Sequence, residues 1–90
     1  MACEGINAIY GCTRNAHDME RTPGGSSSGE GALVASGCSV WGMGSDIAGS
    51  IRIPALWNGI CGFKPTPCRL SVNNHAMPGP TSKDHIGVQC

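Results

Sequence analysis

The sequence has few aromatic side chains, no excess of either charge and no long apolar run. Among 90 residues there are one Phe, one Tyr and two Trp, and Lys plus Arg equals Asp plus Glu at six each. A neutral chain has no electrostatic reason to bind nucleic acid or an anionic membrane surface. No stretch approaches the roughly 18 apolar residues of a membrane-spanning helix. With so few large core side chains, we expect one small domain that belongs to something larger.

Two sequence features that would indicate a role for the cysteines are also missing. No CxxC pair occurs, which argues against a zinc site, and residues 1–12 lack the basic head and apolar run of a signal peptide. Free thiols and an intracellular location are therefore favoured over a secreted disulfide framework, which stays open as an alternative. We expect Cys38 and Cys61 to be small buried hydrophobes. The six cysteines are Cys3, Cys12, Cys38, Cys61, Cys68 and Cys90.

Short helical and extended patterns alternate along the chain, which predicts the α/β class. Trp41 and Trp57 are expected in the core. The predicted elements are a strand over 7–10 ending at Gly11, a loop over 14–22, a helix with Ser28 as N-cap that ends at Gly37, a strand over 39–44, a helix over 50–57 with Pro54 near its first turn, an extended or turn-like segment over 59–67, and a weakly patterned end with a breaker at 78–80.

Glycine and serine are abundant, and they cluster. Residues 22–63 hold ten of the fourteen glycines and seven of the nine serines, with Ser26 and Ser50 each inside a glycine-rich loop. Glycine lets backbone N–H groups approach a bound atom closely, and a hydroxyl among such groups suits acyl transfer, which needs a nucleophile beside an oxyanion site. We interpret the two loops as one wall of an active site. A flexible linker or a phosphate loop fits less well, because a second loop follows and no Gly-Lys-[Ser/Thr] does.

The same region carries only three charged residues, Glu30, Asp46 and Arg52. Isolated charges in an uncharged segment are usually buried in hydrogen-bonded pairs. We therefore predict that Asp46 and Arg52 pair across the loop between them, so that the N–H groups of residues 47–50 surround the Ser50 hydroxyl.

A serine hydroxyl also needs a base to take its proton. Residue types alone allow a histidine triad, but His17, His75 and His85 lie outside the glycine-rich region without a partner pattern. A second serine could instead relay the proton to a lysine. Neither Lys64 nor Lys83 has a convincing context for that role.

Three ordered motifs identify a family resemblance. They are GGSSSGEGAL over 24–33, GSDIAGSIRIP over 44–54 and GICGFKPT over 59–66. The stretch 21–69 that contains them resembles the amidase signature family, and most of all its fatty acid amide hydrolase branch. Residues 7–18 are similar to the approach that the family makes to this core, with Ala16 where proline is usual. A signature this long and ordered is specific.

The resemblance implies a role for each matching residue. Ser50 matches the acyl-forming nucleophile, and Ser26 matches the bridging serine, which in the family follows a cis peptide bond. Ile47, Ala48 and Gly49 match the backbone oxyanion hole, although Ala48 stands where the family often has glycine.

The resemblance also assigns three supporting positions and indicates that no residue here matches the catalytic lysine of the family. Ser27, Asp46 and Arg52 match structural positions. The catalytic lysine of the family lies well upstream of the bridging serine, whereas Lys64 and Lys83 lie downstream of it. We therefore expect an incomplete Ser-Ser-Lys relay and an isolated chain that is nearly inactive.

These observations predict a partial amidase-signature domain over residues 1–90, with its core at about 21–69. The expected fold is an α/β fragment of the family's mixed-sheet core with flanking helices. The expected function is hydrolysis of small-molecule or lipid amides without a cofactor or metal. Nucleic acid is not an expected partner, and peripheral membrane association or a homodimer is allowed only for a longer form. The alternative is a catalytically inactive small protein, namely a remnant, a short isoform or a truncated gene model, that acts by binding only.

Overall fold

The computed structural model describes residues 3–75 and 86–90 as two small antiparallel sheets with two helices. The elements are β1 (Ile6–Asn7), β2 (Gly11–Cys12), α1 (Ser28–Ala35), β3 (Gly42–Ser45), α2 (Arg52–Asn58), β4 (Gly62–Phe63) and β5 (Ile86–Gln89). The first sheet is the pair β1-β2, and the second has the strand order β3-β5-β4. The predicted α/β class is confirmed.

Helix α1 packs closely on α2 because it carries a glycine at the crossing. A Cβ atom on Gly31 would lie 3.1 Å from Pro54 Cβ and 3.3 Å from Asn58 Nδ2. The predicted end of α1 is confirmed, since Gly37 follows it with φ of 74°. The predicted N-cap is wrong. Ser28 is the first helical residue, and its hydroxyl donates to the carbonyl of Gly24 at 2.6 Å instead of capping the helix.

Helix α2 begins two residues later than predicted and carries Pro54 in its first turn, as expected. Strand β5, which the sequence did not reveal, forms the centre of the second sheet and connects it to the start of α2. Gln89 in β5 donates its amide Nε2 to the carbonyl of Ile51 at 2.7 Å, and both residues are fully buried. The second sheet therefore supports the chain directly after Ser50.

The predicted strand over residues 7–10 is wrong. The chain forms a hairpin there, with Asn7 in β1 and residues 8–10 in the turn. The Asn7 side-chain oxygen accepts hydrogen bonds from the N–H groups of Ile9 and Tyr10 at 2.8 and 3.0 Å. This local bonding turns the backbone and leaves both apolar side chains exposed, since Asn competes with strand pairing through its own side chain.

The core is small. The buried hydrophobic side chains among the described residues are Val34, Ile51 and Ala55. Trp41 and Trp57 are 57% and 46% exposed, so their predicted place in the core is wrong. Close backbone packing through glycine fills the space between the elements and leaves the larger side chains at the periphery.

The cysteines are peripheral as well. All six are free thiols and all six are exposed, so the predicted burial of Cys38 and Cys61 is wrong. Within residues 3–75 and 86–90, neither helix has the length and apolar character needed to cross a membrane. The breaker predicted at residues 78–80 lies outside the described residues.

Candidate active site

The two glycine-rich loops meet through a backbone hydrogen bond. The N–H of Ser27 donates to the carbonyl of Ser50 at 3.1 Å. Ser27 also packs its hydroxyl against Gly44, where an added Cβ would overlap Ser27 Oγ and lie 3.1 Å from Ile51 Cγ1. The sequence pair Ser26 and Ser50 therefore lies on loops that are directly joined, as the sequence predicted.

The first loop runs over residues 22–27 and presents Ser26 to solvent. Its peptide bond between Gly25 and Ser26 is cis, which confirms that expectation from the family resemblance. The Thr22 hydroxyl oxygen accepts a hydrogen bond from the N–H of Gly24 at 3.1 Å. Together with the bond from Ser28 to the same glycine, this contact fixes the loop just before the two serines.

A buried asparagine at the end of α2 connects this loop to two other segments. Asn58 is fully buried, and its amide Nδ2 donates to the carbonyls of Pro23 and Pro54, each at 2.8 Å. Its side-chain oxygen accepts from the N–H of Ala16 at 3.3 Å. His17 places Nε2 2.8 Å from the backbone carbonyl oxygen of Asn58.

Asn15 is a second buried asparagine whose side chain connects segments that are distant in the sequence. It is buried, and its amide donates to the carbonyl of Trp57 at 2.8 Å while its oxygen accepts from the N–H of His17 at 2.9 Å. Sequence reasoning missed both asparagines. Asn58 could have been found from its position directly before Gly59, where the helix ends. In this uncharged segment, an amide side chain is the group that can satisfy buried backbone atoms.

The second loop, residues 46–52, is built around one buried carboxylate. Asp46 is fully buried, and its two oxygens accept five hydrogen bonds. Three come from the N–H groups of Gly49 at 2.6 Å, Ile51 at 3.1 Å and Arg52 at 3.2 Å. Two come from the Arg52 guanidinium, through Nε at 3.0 Å and through a terminal nitrogen at 2.9 Å. The predicted Asp46–Arg52 pair is confirmed.

This hydrogen bonding sets the charge state of the carboxyl. Burial by itself would raise the pKa of Asp46, because a charged group loses its hydration there. The Arg52 guanidinium and the three N–H groups outweigh that effect, so the pKa of Asp46 lies well below its usual range. The carboxylate therefore stays ionised and continues to hold the loop. Arg52 itself is half-exposed, so one side of the pair is in contact with solvent.

The turn between Asp46 and Ser50 leaves N–H groups available. Within the described part of the chain, the N–H groups of Ile47, Ala48 and Ser50 enter no hydrogen bond. Gly49 has φ of 120°, a conformation that favours glycine, and an added Cβ there would lie 2.8 Å from the Ile53 side chain. Ala48 has no positive φ, so its methyl group is tolerated where a glycine is often found.

A hollow of about 350 Å³ adjoins the first loop. Ser26 lies on its wall with His75, which the sequence had not connected to either serine. Lys64 is directed elsewhere, since its Nζ donates to the carbonyl of Pro65 at 3.0 Å. Lys83 and His85 lie outside the described residues. The other lining residues are Ser27, Met43, Gly44, Ser45 and Ile86.

Comparisons with known proteins identify the family to which this chain belongs. The sequence model of the family described as Amidase matches residues 1–90. Fatty-acid amide hydrolase 2-A from Danio rerio is 49% identical over 90 residues, which are all of this chain and 16% of that protein. A glutamyl-tRNA(Gln) amidotransferase polypeptide from Lactobacillus gasseri is 52% identical over 82 residues, which are 91% of this chain and 17% of that protein.

A solved structure titled fatty acid amide hydrolase superposes with a TM-score of 0.84 at 38% identity, covering 99% of this chain and 16% of that one. The α/β arrangement is thus that of the amidase signature enzymes. The chain belongs to the amidase family. It spans about one sixth of the length of the relatives that it matches.

Proposed function

We propose that this chain supplies the nucleophile half of an amidase active site, in which Ser50 attacks the carbonyl carbon of an amide and Ser26 relays the proton. The observation that carries the proposal is the junction of the two loops. Ser27 is bonded to Ser50 across them, while the N–H groups at residues 47, 48 and 50 stay free within the described structure. A hydroxyl beside available N–H groups is the arrangement that acyl transfer needs.

The reaction follows from this geometry. The Ser50 oxygen adds to the amide carbon and gives up its proton towards Ser26, while the amide oxygen becomes negatively charged. We assign the stabilisation of that oxyanion to the loop over Ile47, Ala48 and Gly49. The N–H groups of Ile47 and Ala48 make the contacts, and Gly49 provides the turn while its own N–H bonds Asp46. Ser26 then passes a proton to the leaving amine, and water hydrolyses the acyl-serine ester.

The relay still needs a base, and the 90 residues contain two lysines. Lys64 Nζ donates a hydrogen bond to the carbonyl of Pro65, and Lys83 lies outside the described residues. By resemblance to the family, we infer that the base is a lysine other than Lys64 and Lys83, which both lie downstream of Ser26. The chain by itself is then nearly inactive.

The substrate is proposed as an amide, with a lipid amide as the first candidate. The similarity to a fatty-acid amide hydrolase supports the lipid class. An equally similar relative carries the name of a glutamyl-tRNA(Gln) amidotransferase, so sequence identity supports the amide bond more firmly than the acyl group.

A chimera tests the nucleophile. The segment of the Danio rerio relative that matches this chain is replaced by the 90 residues, and hydrolysis of a fatty-acid amide and labelling by a fluorophosphonate probe are measured. Ser50→Ala should abolish both, with a loss of rate of at least about 10⁴-fold, because no other group replaces the nucleophile. Ser26→Ala should lower the rate by about 10²- to 10⁴-fold, as expected for a proton-transfer group.

The matched control is Ser36→Ala, an exposed serine at the end of α1 whose hydroxyl bonds the carbonyl of Leu33. It should leave the rate unchanged. Labelling that persists in Ser50→Ala would overturn the nucleophile assignment. The inactivity of the isolated chain is tested separately, since strong probe labelling of Ser50 in the 90-residue chain would contradict it.

A further inference from the structure

The neighbouring ends of strands β4 and β5 bring two cysteines opposite each other. The antiparallel register that pairs Gly62 with Gln89 continues by one step to Cys61 and Cys90. These two residues exchange both backbone hydrogen bonds. The N–H of Cys61 donates to the carbonyl of Cys90 at 2.7 Å, and the N–H of Cys90 donates to the carbonyl of Cys61 at 2.9 Å. They are therefore a directly opposed, hydrogen-bonded pair.

Such a pair has nearly the geometry of a disulfide. Opposed residues of this type have Cα atoms about 5.5 Å apart and side chains on the same face of the sheet. Disulfides join Cα atoms that are about 4.4 to 6.8 Å apart. Their Cβ atoms must approach to about 4 Å, which asks for a shift of about 1 Å from the usual cross-strand separation. Both cysteines lie just beyond the ends of their strands, where the ladder restrains them from one side only.

Both thiols are also accessible. Strand β5 alternates between buried Gly87 and Gln89 and the half-buried residues beside them. Gln89 faces inward to the carbonyl of Ile51, so the next residue, Cys90, belongs to the opposite, outer face. Cys61 and Cys90 are both exposed. A small reagent can therefore reach either sulfur without opening the core.

We propose that Cys61 and Cys90 form a redox-modification site that exchanges with a low-molecular-weight disulfide such as oxidised glutathione. One cysteine thiolate attacks the reagent, forms a mixed disulfide and releases one glutathione thiol. The other thiolate attacks the protein sulfur of that mixed disulfide, forms the Cys61–Cys90 bond and releases the second glutathione thiol. The protein loses two electrons and two protons, and the two glutathione thiols carry them.

The bond would tie β4 to β5 at the edge that supports Ile51. Gln89 bonds the Ile51 carbonyl from β5, and a Cβ on Gly62 in β4 would lie 3.2 Å from the same oxygen. Oxidation therefore fixes the sheet beneath the residue that follows Ser50. This site stands independently of the chemistry proposed for the serines.

The test uses the 90-residue chain, oxidised glutathione and mass spectrometry under non-reducing conditions. Cleavage after the aromatic residues and after Arg14 and Arg69 places each of the six cysteines on its own peptide, so each link is identified by its peptides. In native buffer the Cys61–Cys90 link should exceed every other cysteine pair by at least about tenfold, because the fold holds these thiols face to face. In concentrated denaturant that preference should disappear.

Two variants sharpen the test. A chain in which Cys3, Cys12, Cys38 and Cys68 are replaced by Ser should lose about 2 Da on oxidation as a monomer, as expected for the loss of two hydrogens. The matched control keeps Cys38 and Cys90 instead, two exposed thiols that no strand register joins, and should accumulate glutathione adducts. A native pattern without preference for Cys61–Cys90, or an equal yield of the internal bond in the control, would overturn the proposal.

Discussion

The two serine loops are held in different ways. The loop that carries Ser26 is fixed by neutral hydrogen bonds, the most distant of which comes from Asn58 at the end of α2. The loop that contains Ser50 is fixed by one ionised group, Asp46, which accepts five hydrogen bonds from the residues just after it. The first loop therefore depends on the packing of remote segments, and the second depends on a local charge.

This difference bears on the catalytic proposal. A relay serine must lie correctly between the nucleophile and a base that comes from elsewhere, so its loop is tied to several segments. The nucleophile needs a sharp turn with N–H groups directed outward, which a buried carboxylate can organise from within. Substitutions that affect one kind of support and spare the other should separate the two loops.

The largest effect is expected from Asp46→Ala. It leaves the N–H groups of Gly49 and Ile51 without their acceptor and Arg52 without its partner. The loss should be about 3 kcal/mol of local stability, reduced from the value of a fully buried pair because Arg52 is half-exposed. Hydrogen exchange of residues 46–58 in the chimera measures this loss, while exchange of the Gly24 amide, which bonds Thr22 within the first loop, should change little.

Asp46→Asn is the matched control, because it keeps the shape and one acceptor oxygen but removes the charge. It should cost less than Asp46→Ala. Equal loss of protection in both loops would contradict the separation between them.

A smaller effect, of about 2 kcal/mol, is expected from Asn58→Ala. The substitution removes the donor for the carbonyls of Pro23 and Pro54 and the acceptor for the N–H of Ala16. Exchange should rise at residues 15–24 and spare the amides that Asp46 holds. Asn73→Ala, at an exposed position of the same residue type, serves as the control. Unchanged exchange at 15–24 would show that this loop is held by other contacts.

The sequence allowed the prediction of the second loop more fully than that of the first. Asp46 and Arg52 stand alone as charges in an uncharged segment, and their pairing followed from the cost of burying a charge without a partner. The cis peptide before Ser26 was expected from the family resemblance alone. The part played by Asn58 could not be deduced, because its partners lie up to 42 residues away and are backbone atoms, which every residue has.

The wrong strand prediction at residues 7–10 and the missed strand β5 also have structural causes that the sequence pattern does not show. The apolar residues Ile9 and Tyr10 suggested a strand, but the Asn7 side chain turned the backbone locally. Strand β5 was missed because Ile86 to Gln89 has too few residues to show a period. Its place in the sheet depends on pairing with β3 and β4, which lie far away in the sequence.

The smallest expected effect is a dependence of local stability on pH, which affects the second loop alone. The pKa of Asp46 is lowered by folding, so the unfolded chain binds more protons than the folded chain once the pH approaches the ordinary aspartate value of about 3.9. The contribution of Asp46 to stability is complete above about pH 5, decreases as the pH falls past the ordinary value, and is fully lost only below the lowered pKa. The loss should be about 0.3 kcal/mol by pH 4 and should grow below it.

Hydrogen exchange of the chimera between pH 6 and pH 4, corrected for the intrinsic rates, measures this dependence. Protection of residues 46–58 should fall slightly in the wild-type chimera and should not fall in Asp46→Asn, which has no carboxyl to protonate. Protection of the Gly24 amide in the first loop should stay level in both, because its bond to the Thr22 hydroxyl and the bonds from Asn58 and Ser28 are neutral. An equal fall in protection with pH in Asp46→Asn would assign the acid effect to another group. It would also contradict the conclusion that an ionised carboxylate holds the second loop.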